Sequence, residues 1–147
     1  MSYHTLLSKL EDSCAAYLSA TVTGIGTVLK TSDVDQLLSA RACHVMATNG
    51  TGLVGVPGNY SVTLTVELRT NLNLYKVRGT ALSNHSTLWG SIADAMMDDG
   101  LLTSLDDTYG TDISIQGIHT GNDIGYSKRG DDTLVNSITR MIEACPQ

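Results

Sequence analysis

The chain has 147 residues, a length that predicts one domain with its own hydrophobic core. Its 15 acidic and 9 basic residues give a formal net charge of −6, and the excess of Lys and Arg that phosphate binding needs is missing. No leader opens the sequence and no apolar run approaches the roughly 20 residues that cross a bilayer, so we expect a soluble chain made in the cytoplasm, without membrane contact.

The first predicted element is an amphipathic helix from about Ser2 to Leu18. Its apolar residues recur at three- and four-residue steps, as on one face of a helix. They are Tyr3, Leu6, Leu7, Leu10, Cys14, Tyr17 and Leu18. Residues 27–41 leave two possibilities open, a short helix capped by Ser32 and Asp33 or a strand followed by a loop.

A strand is predicted over Ala42–Thr48, followed by a glycine-rich stretch from Asn49 to Asn59. That stretch predicts a mobile loop or the tip of a long hairpin. Its glycines match G-x-G-x-x-G, the pattern that opens a helix in dinucleotide-binding folds. Here a strand follows instead of a helix, so we expect no cofactor site.

The clearest strand runs from Tyr60 to Arg69, because apolar and polar residues alternate along it. Tyr60, Val62, Leu64, Val66 and Leu68 are predicted to face a core, whereas Ser61, Thr63, Thr65, Glu67 and Arg69 face water or a neighbouring molecule.

A second helix is predicted after a polar stretch, with Ser83 or Asn84 as its N-cap and Gly100 as its stop. Its apolar face comprises His85, Leu88, Trp89, Ile92 and Met96. Leu101, Leu102 and Leu105 predict one more short helical turn packed on the core.

Further strands are predicted over Asp112–His119 and around Tyr126–Arg129. The last segment, from Leu134 to Cys145, is ambiguous. Its apolar residues fit helical spacing, but the sequence TLVNSIT also suits a strand.

The residues that could carry chemistry form no recognisable site, so we do not expect an enzyme. Cys14, Cys43 and Cys145 are predicted to be buried thiols. The four histidines lack metal-ligand spacing and are predicted to be surface or half-buried, and the paired aspartates resemble turn residues. No nucleophile motif is present.

Four segments together resemble the tail terminator and tail-to-head joining proteins of long-tailed bacteriophages. They are LLSKLEDSCAAYL, PGNYSVTLTVELRTN, HSTLWGSIADAM and ISIQGIHTGNDIGYSKRGDDTLVNSIT. The resemblance covers most of the chain and depends on the order of the elements. It implies one α+β domain over residues 1–147, with a mixed, mainly antiparallel sheet of about four to five strands and two main helices on one face. It also implies that the last segment is a strand.

The same resemblance implies a structural virion protein that forms a ring, commonly a hexamer. The expected partners are other copies of the chain, the tail tube protein and the head connector or neck protein, and DNA would pass through the lumen without specific binding. The expected interface residues are Gly50, Thr51, Gly52, Leu53, Val54, Gly55, Val56, Ser61, Thr63, Thr65, Glu67, Arg69, Lys128 and Arg129.

Three alternatives remain open on the sequence alone. The first is another virion part, such as a neck or tail tube subunit. The second is a monomeric adaptor module in a cell. The third is a hydrolase that uses His85 or His119 with a nearby carboxylate.

Overall fold

A mixed β-sheet with helices on one side makes up the part of the chain that the computed structural model describes, namely residues 3–31, 40–52, 60–109, 113–119, 128–130 and 133–146. The helices are α1 (Tyr3–Thr21), α2 (Arg78–Met97) and α3 (Gly100–Tyr109), and a 3₁₀ turn covers Leu72–Leu74. The strands are β1 (Val28–Lys30), β2 (Arg41–Gly52), β3 (Tyr60–Asn71), β4 (Ile113–His119), β5 (Lys128–Gly130) and β6 (Thr133–Pro146).

The strand order of the sheet is β1-β2-β3-β6-β4. The long strands β2, β3 and β6 form its centre, and neighbouring strands there are antiparallel. Strand β1 adds in parallel beside Cys43–Val45 of β2. The other side of β6 carries β5 at its beginning and β4 at its end, both antiparallel. The expected α+β class with a mixed, mainly antiparallel sheet is therefore confirmed; two of the six strands have only three residues.

The core lies between the sheet and the helices. The inward side chains of β3 that alternation predicted, Val62, Leu64, Val66 and Leu68, are fully buried. Helix α1 packs against β1 and β2, α2 against β3 and β6, and α3 against α1 and β4. The expected helices on one face are present, and the predicted short turn after them is the ten-residue helix α3, which buries Leu101 and Leu105.

The ambiguous last segment is the central strand β6, which pairs with β3 along twelve residues. Its inward positions are Leu134, Asn136, Ile138, Arg140, Ile142 and Ala144. Two of these six are polar, and this breaks the apolar alternation that would have identified a strand. A polar inward residue is tolerated because the fold supplies it with hydrogen-bond partners.

Buried Arg140 supports the end of helix α2. Its Nη1 donates to the carbonyl oxygen of Met96 at 2.9 Å and lies 3.3 Å from Sδ of Met97. A cation at this end of a helix is favourable, because the last carbonyl groups carry partial negative charge. Nε of Arg140 is buried and has no hydrogen-bond partner among the described residues.

Several predicted boundaries in the first half need correction. Helix α1 continues to Thr21 and stops before Gly24 and Gly26, which have positive φ angles of 80° and 71°. Strand β2 continues through Gly52 and pairs with β3. A mobile loop from Asn49 was therefore wrong for residues 49–52, whereas the alternative of a long hairpin agrees with this pairing. Pairing with β3 outweighs the local preference of glycine for turns. The proposed cap at Ser32 and Asp33, and residues 53–59, lie outside the described residues.

Helix α2 begins at Arg78, so the prediction of Ser83 or Asn84 as its N-cap was wrong. The first turn is held by packing, because Ala81 is buried against Leu72 and Leu134. The helix ends at Met97, and Gly100 starts α3 instead of following as a stop. The side-chain oxygen Oδ1 of Asp98 accepts a hydrogen bond from the Gly100 amide at 2.7 Å, which agrees with the predicted turn role of that acidic pair.

The cysteines that the structure describes are free thiols in the core. Cys14 and Cys43 are both fully buried, as predicted, while the side chain of Cys145 lies outside the described set. Burial raises the pKa of the Cys14 thiol, and it raises the pKa of Cys43 to about 12. Both thiols are therefore protonated and unreactive at neutral pH.

Candidate functional site

The side of the sheet turned away from the helices carries the predicted interface residues of β3. We call it the open face. Strand β2 contributes Ala42, His44, Met46 and Thr48; β3 contributes Ser61, Thr63, Thr65, Glu67 and Arg69; β6 contributes Thr133, Val135, Ser137, Thr139, Met141 and Glu143. Most of these side chains are half-buried, since neighbouring strands screen them while no described helix lies over them.

The strand register arranges the open face in rows. Thr65 lies between Met46 and Thr139, and its hydroxyl is 3.2 Å from that of Thr139. One row away, Glu67 accepts a hydrogen bond from the Arg69 guanidinium at 3.0 Å. Cross-strand and same-strand contacts of this kind order a polar surface before any partner arrives. The face is thus suited to a contact made through many weak polar interactions.

The predicted interface residues of β3 lie together on this face, with one correction. Thr63, Thr65 and Glu67 are half-buried and Arg69 is exposed, but Ser61 has only 8% of its surface exposed. Ser61 lies between Thr51 and Glu143 in the register. Its flanking strands therefore leave little of it for a partner.

The remaining predicted residues are dispersed. Gly50, Thr51 and Gly52 belong to β2, next to a register shift between Thr48 and Thr51. Lys128 pairs with Val135, in the row of Arg69, whereas Arg129 pairs with Leu134, in the row of the buried Thr70. The side chains of these two basic residues lie outside the described set. Leu53, Val54, Gly55 and Val56 lie outside the described residues.

Sequence reasoning missed the contributions of β2 and β6 to the open face. The missed residues are His44, Met46, Ser137, Thr139, Met141 and Glu143. The available signal was the alternation of Ser137, Thr139 and Met141 with Asn136, Ile138 and Arg140. It was obscured because both sets contain polar residues.

A second feature that the sequence did not reveal is a buried polar chain beneath α2. Nε of Arg41 donates to the Thr70 hydroxyl at 3.1 Å, and that hydroxyl lies 2.6 Å from Nδ1 of His85. Nε2 of His85 lies 2.8 Å from Oδ1 of Asn136. Because the amide oxygen can only accept, Nε2 carries the proton and Nδ1 accepts from Thr70. Arg41 also donates to the carbonyl oxygen of Ala81 at 3.2 Å.

These hydrogen-bonded side chains have the chemical groups of a catalytic nucleophile, a base and an orienting amide. Their burial gives them another role. Thr70, His85 and Asn136 have 0%, 1% and 7% of their surfaces exposed, so a substrate cannot reach the Thr70 hydroxyl. The guess that the histidines are surface or half-buried residues was wrong for His85. Burial, followed by the positive charge of Arg41, lowers the pKa of His85 and keeps its ring neutral. The buried hydrogen bonds join strands β2, β3 and β6 to helix α2.

Two acidic side chains of α1 have partners at the end of β1. Nζ of Lys30 contacts Oδ1 of Asp12 at 2.7 Å, and the amide of Thr31 donates to Oε1 of Glu11 at 2.8 Å. They line a groove of about 370 Å³ together with Leu7, Ser8 and Ala47. Among the described residues, no cluster of three or more His, Cys, Asp or Glu side chains could hold a metal ion.

No protein-family model matches the chain, and no curated protein matches it. Within the described part of the chain, no helix has both the length and the apolar character needed to cross a membrane.

Proposed function

We propose that this chain is a structural subunit of a long-tailed bacteriophage, a tail terminator that forms a ring on the tail tube and joins it to the head connector. The observation that carries the proposal is the open face, a polar and ordered sheet surface over which no described helix lies. A protein whose function is contact with copies of itself and with a tube needs such a surface in addition to its core.

The final strand supports the same proposal. The resemblance to tail terminators implied a strand for the last segment, whereas its apolar spacing fitted a helix equally well. The segment is β6, in the centre of the sheet between β3 and β4. The arrangement of helices on one side of a mainly antiparallel sheet also agrees with that resemblance.

In this proposal the open face contacts the tail tube, and neighbouring copies meet through two unlike surfaces that close a ring by rotation. The partners are then the chain itself, the tail tube protein and the head connector. A net charge of −6 is compatible with a lumen through which DNA passes without specific binding. The virion is the proposed location.

The test is the mass of the purified chain by light scattering behind a sizing column, over a concentration series, with negative-stain imaging of the same fractions. A parallel series includes purified phage tail tubes. We expect a discrete ring, either in solution or on the tube ends. A Thr65→Lys variant, which places a charge in the middle of the open face, should keep the fold but bind tube ends more weakly.

Two other results would contradict the proposal in different ways. Long tubes made of this chain alone would reassign it as a tail tube subunit. A chain that stays monomeric and ignores tail tubes at every concentration would favour an adaptor module instead.

A further inference from the structure

The two ends of helix α2 carry opposite charges. At its beginning, Lys76 and Arg78 are exposed beside three exposed apolar side chains, those of Leu74, Val77 and Leu82. We call this the basic corner. The exposed fractions of its apolar side chains are 59%, 63% and 37%, large values for residues of this kind.

At the other end, Asp94, Asp98 and Asp99 are exposed next to Met97, which is 46% exposed. We call this the acidic corner. Asp94 and Asp98 line a shallow open depression together with the side chains of Tyr17, Thr21 and Ser91. Two carboxylates and three hydroxyls make this depression suited to a cationic side chain. Burial, followed by the charge of Asp98, raises the pKa of Tyr17.

The stability of α2 alone does not account for this charge pattern. The beginning of a helix carries partial positive charge and favours acidic residues, while its end favours basic residues. Helix α2 has no acidic residue in its first turn and no basic residue in its last turn, and no side chain caps its N-terminus. The basic side chains of Lys76 and Arg78 therefore interact unfavourably with the partial positive charge at the beginning of α2.

Part of the acidic corner has a local explanation. Asp98 accepts a hydrogen bond from the Gly100 amide, and Asp98 and Asp99 both precede the N-terminus of α3, where acidic residues are favourable. Asp94 lies inside α2 and has no such role. At the basic corner, Arg78 donates a hydrogen bond of 2.6 Å to Asn73, and the dipole of α2 favours neither Lys76 nor Arg78 there.

We propose that the basic corner of one copy docks on the acidic corner of a second copy of this chain. This inference depends on the proposed ring and names the surfaces through which its neighbours meet. The corners are complementary in charge, and each offers exposed apolar area to bury. Because they are different surfaces about 30 Å apart, the length of a 20-residue helix, their contact runs head to tail and can close a ring.

Charge exchange tests the contact. The basic-corner variant carries Lys76→Glu and Arg78→Glu. The acidic-corner variant carries Asp94→Lys and Asp98→Asn, since asparagine retains the oxygen that caps Gly100. Self-association is measured by sedimentation velocity over a concentration series at low and high salt. Lys9→Glu, a charge reversal outside both corners, is the control.

Each variant alone should associate at least about tenfold more weakly than the wild type, because the basic-corner variant brings two acidic surfaces together and the acidic-corner variant loses its net negative charge. An equal mixture of both variants should regain association. In an alternating ring, every second contact joins two unchanged corners, and the others place the lysine introduced at Asp94 against the introduced glutamates. The unfolding free energy of each variant should stay close to that of the wild type. The gain at the dipole of α2 offsets the loss of the Arg78–Asn73 hydrogen bond in one variant and of the Asp98 charge before α3 in the other. This excludes misfolding as the cause of the weaker association.

Three results would overturn the contact. The variants could associate as the wild type does, the mixture could fail to regain association, or the wild type could show no self-association. Rings that persist in the variants would overturn only this contact and leave the proposed function standing. Failure of the wild type on tail tubes would overturn the proposed function separately.

Discussion

Polar residues on the two faces of the sheet differ in their burial and in their hydrogen-bond partners. On the covered face, polar side chains such as Thr70, His85 and Asn136 are fully enclosed and hydrogen-bonded to one another. On the open face, Thr65 and Glu67 have partners within the same surface but remain half-exposed. Polar residues of the covered face therefore contribute to stability, while those of the open face remain available to a partner.

This difference predicts that substitutions on the two faces change the free energy of unfolding by different amounts. A change on the covered face should lower the free energy of unfolding, because it leaves a cavity or an unpaired buried group. A change on the open face should alter stability little, because water replaces a lost partner. Neighbouring residues of one strand, which point to opposite faces, provide matched pairs for testing this assignment.

The largest effect is expected for Ile138→Ala in β6. Ile138 is fully buried in the core, and its truncation leaves a cavity beneath α2 and the central strands. We expect a loss of about 2–5 kcal/mol in the free energy of unfolding. The measurement is urea unfolding followed by circular dichroism. The matched control is Thr139→Ala, one residue later on the open face, for which we expect a loss of less than about 1 kcal/mol.

Equal losses for the two variants would contradict the assignment of the faces. A large loss at Thr139 would mean that a partner or another part of the chain covers the open face.

A smaller effect is expected for Thr70→Val. The change keeps the shape but removes the hydroxyl that links Nε of Arg41 to Nδ1 of His85. Both groups then lose a partner in a buried site, and we expect a loss of about 1–3 kcal/mol. The same change at Thr63, on the open face, should stay within about 0.5 kcal/mol. If the two variants unfold alike, the buried chain contributes nothing to stability.

The sequence predicted the parts of the covered face where apolar periodicity was clean. The alternation in β3 identified its inward side, and the spacing of Leu88, Ile92 and Met96 identified the buried side of α2. These signals succeed because burial of apolar surface is the main force that orients such elements.

The sequence failed where tertiary pairing supplied what local preference did not. Asn136 and Arg140 occupy inward positions of β6 because His85 and the carbonyl group of Met96 lie beside them. A local sequence pattern cannot predict hydrogen-bond partners that are so distant along the chain. The same reason explains the open face, since three strands assemble it and only β3 showed regular alternation. The parts of that surface that β2 and β6 contribute were therefore missed.

The smallest effect expected concerns pH and the buried His85. Its pKa is lowered in the folded state, whereas in the unfolded state it lies near the ordinary value of 6.5. Below that pH the unfolded chain takes up a proton that the folded chain resists. Stability is therefore fully present above about pH 6.5 and falls as the pH drops, with a slope of up to about 1.4 kcal/mol per unit from this one group.

The measurement compares the free energies of unfolding of the wild type and His85→Gln between about pH 7.5 and 5.5, a range above the titration of ordinary carboxylates. Glutamine removes the titrating ring, so the variant should show a flatter pH dependence, even though it starts from a lower stability. Parallel curves would mean that His85 has the same pKa in the folded protein as in the unfolded protein. The covered face would then lack the enclosure that separates it from the open one.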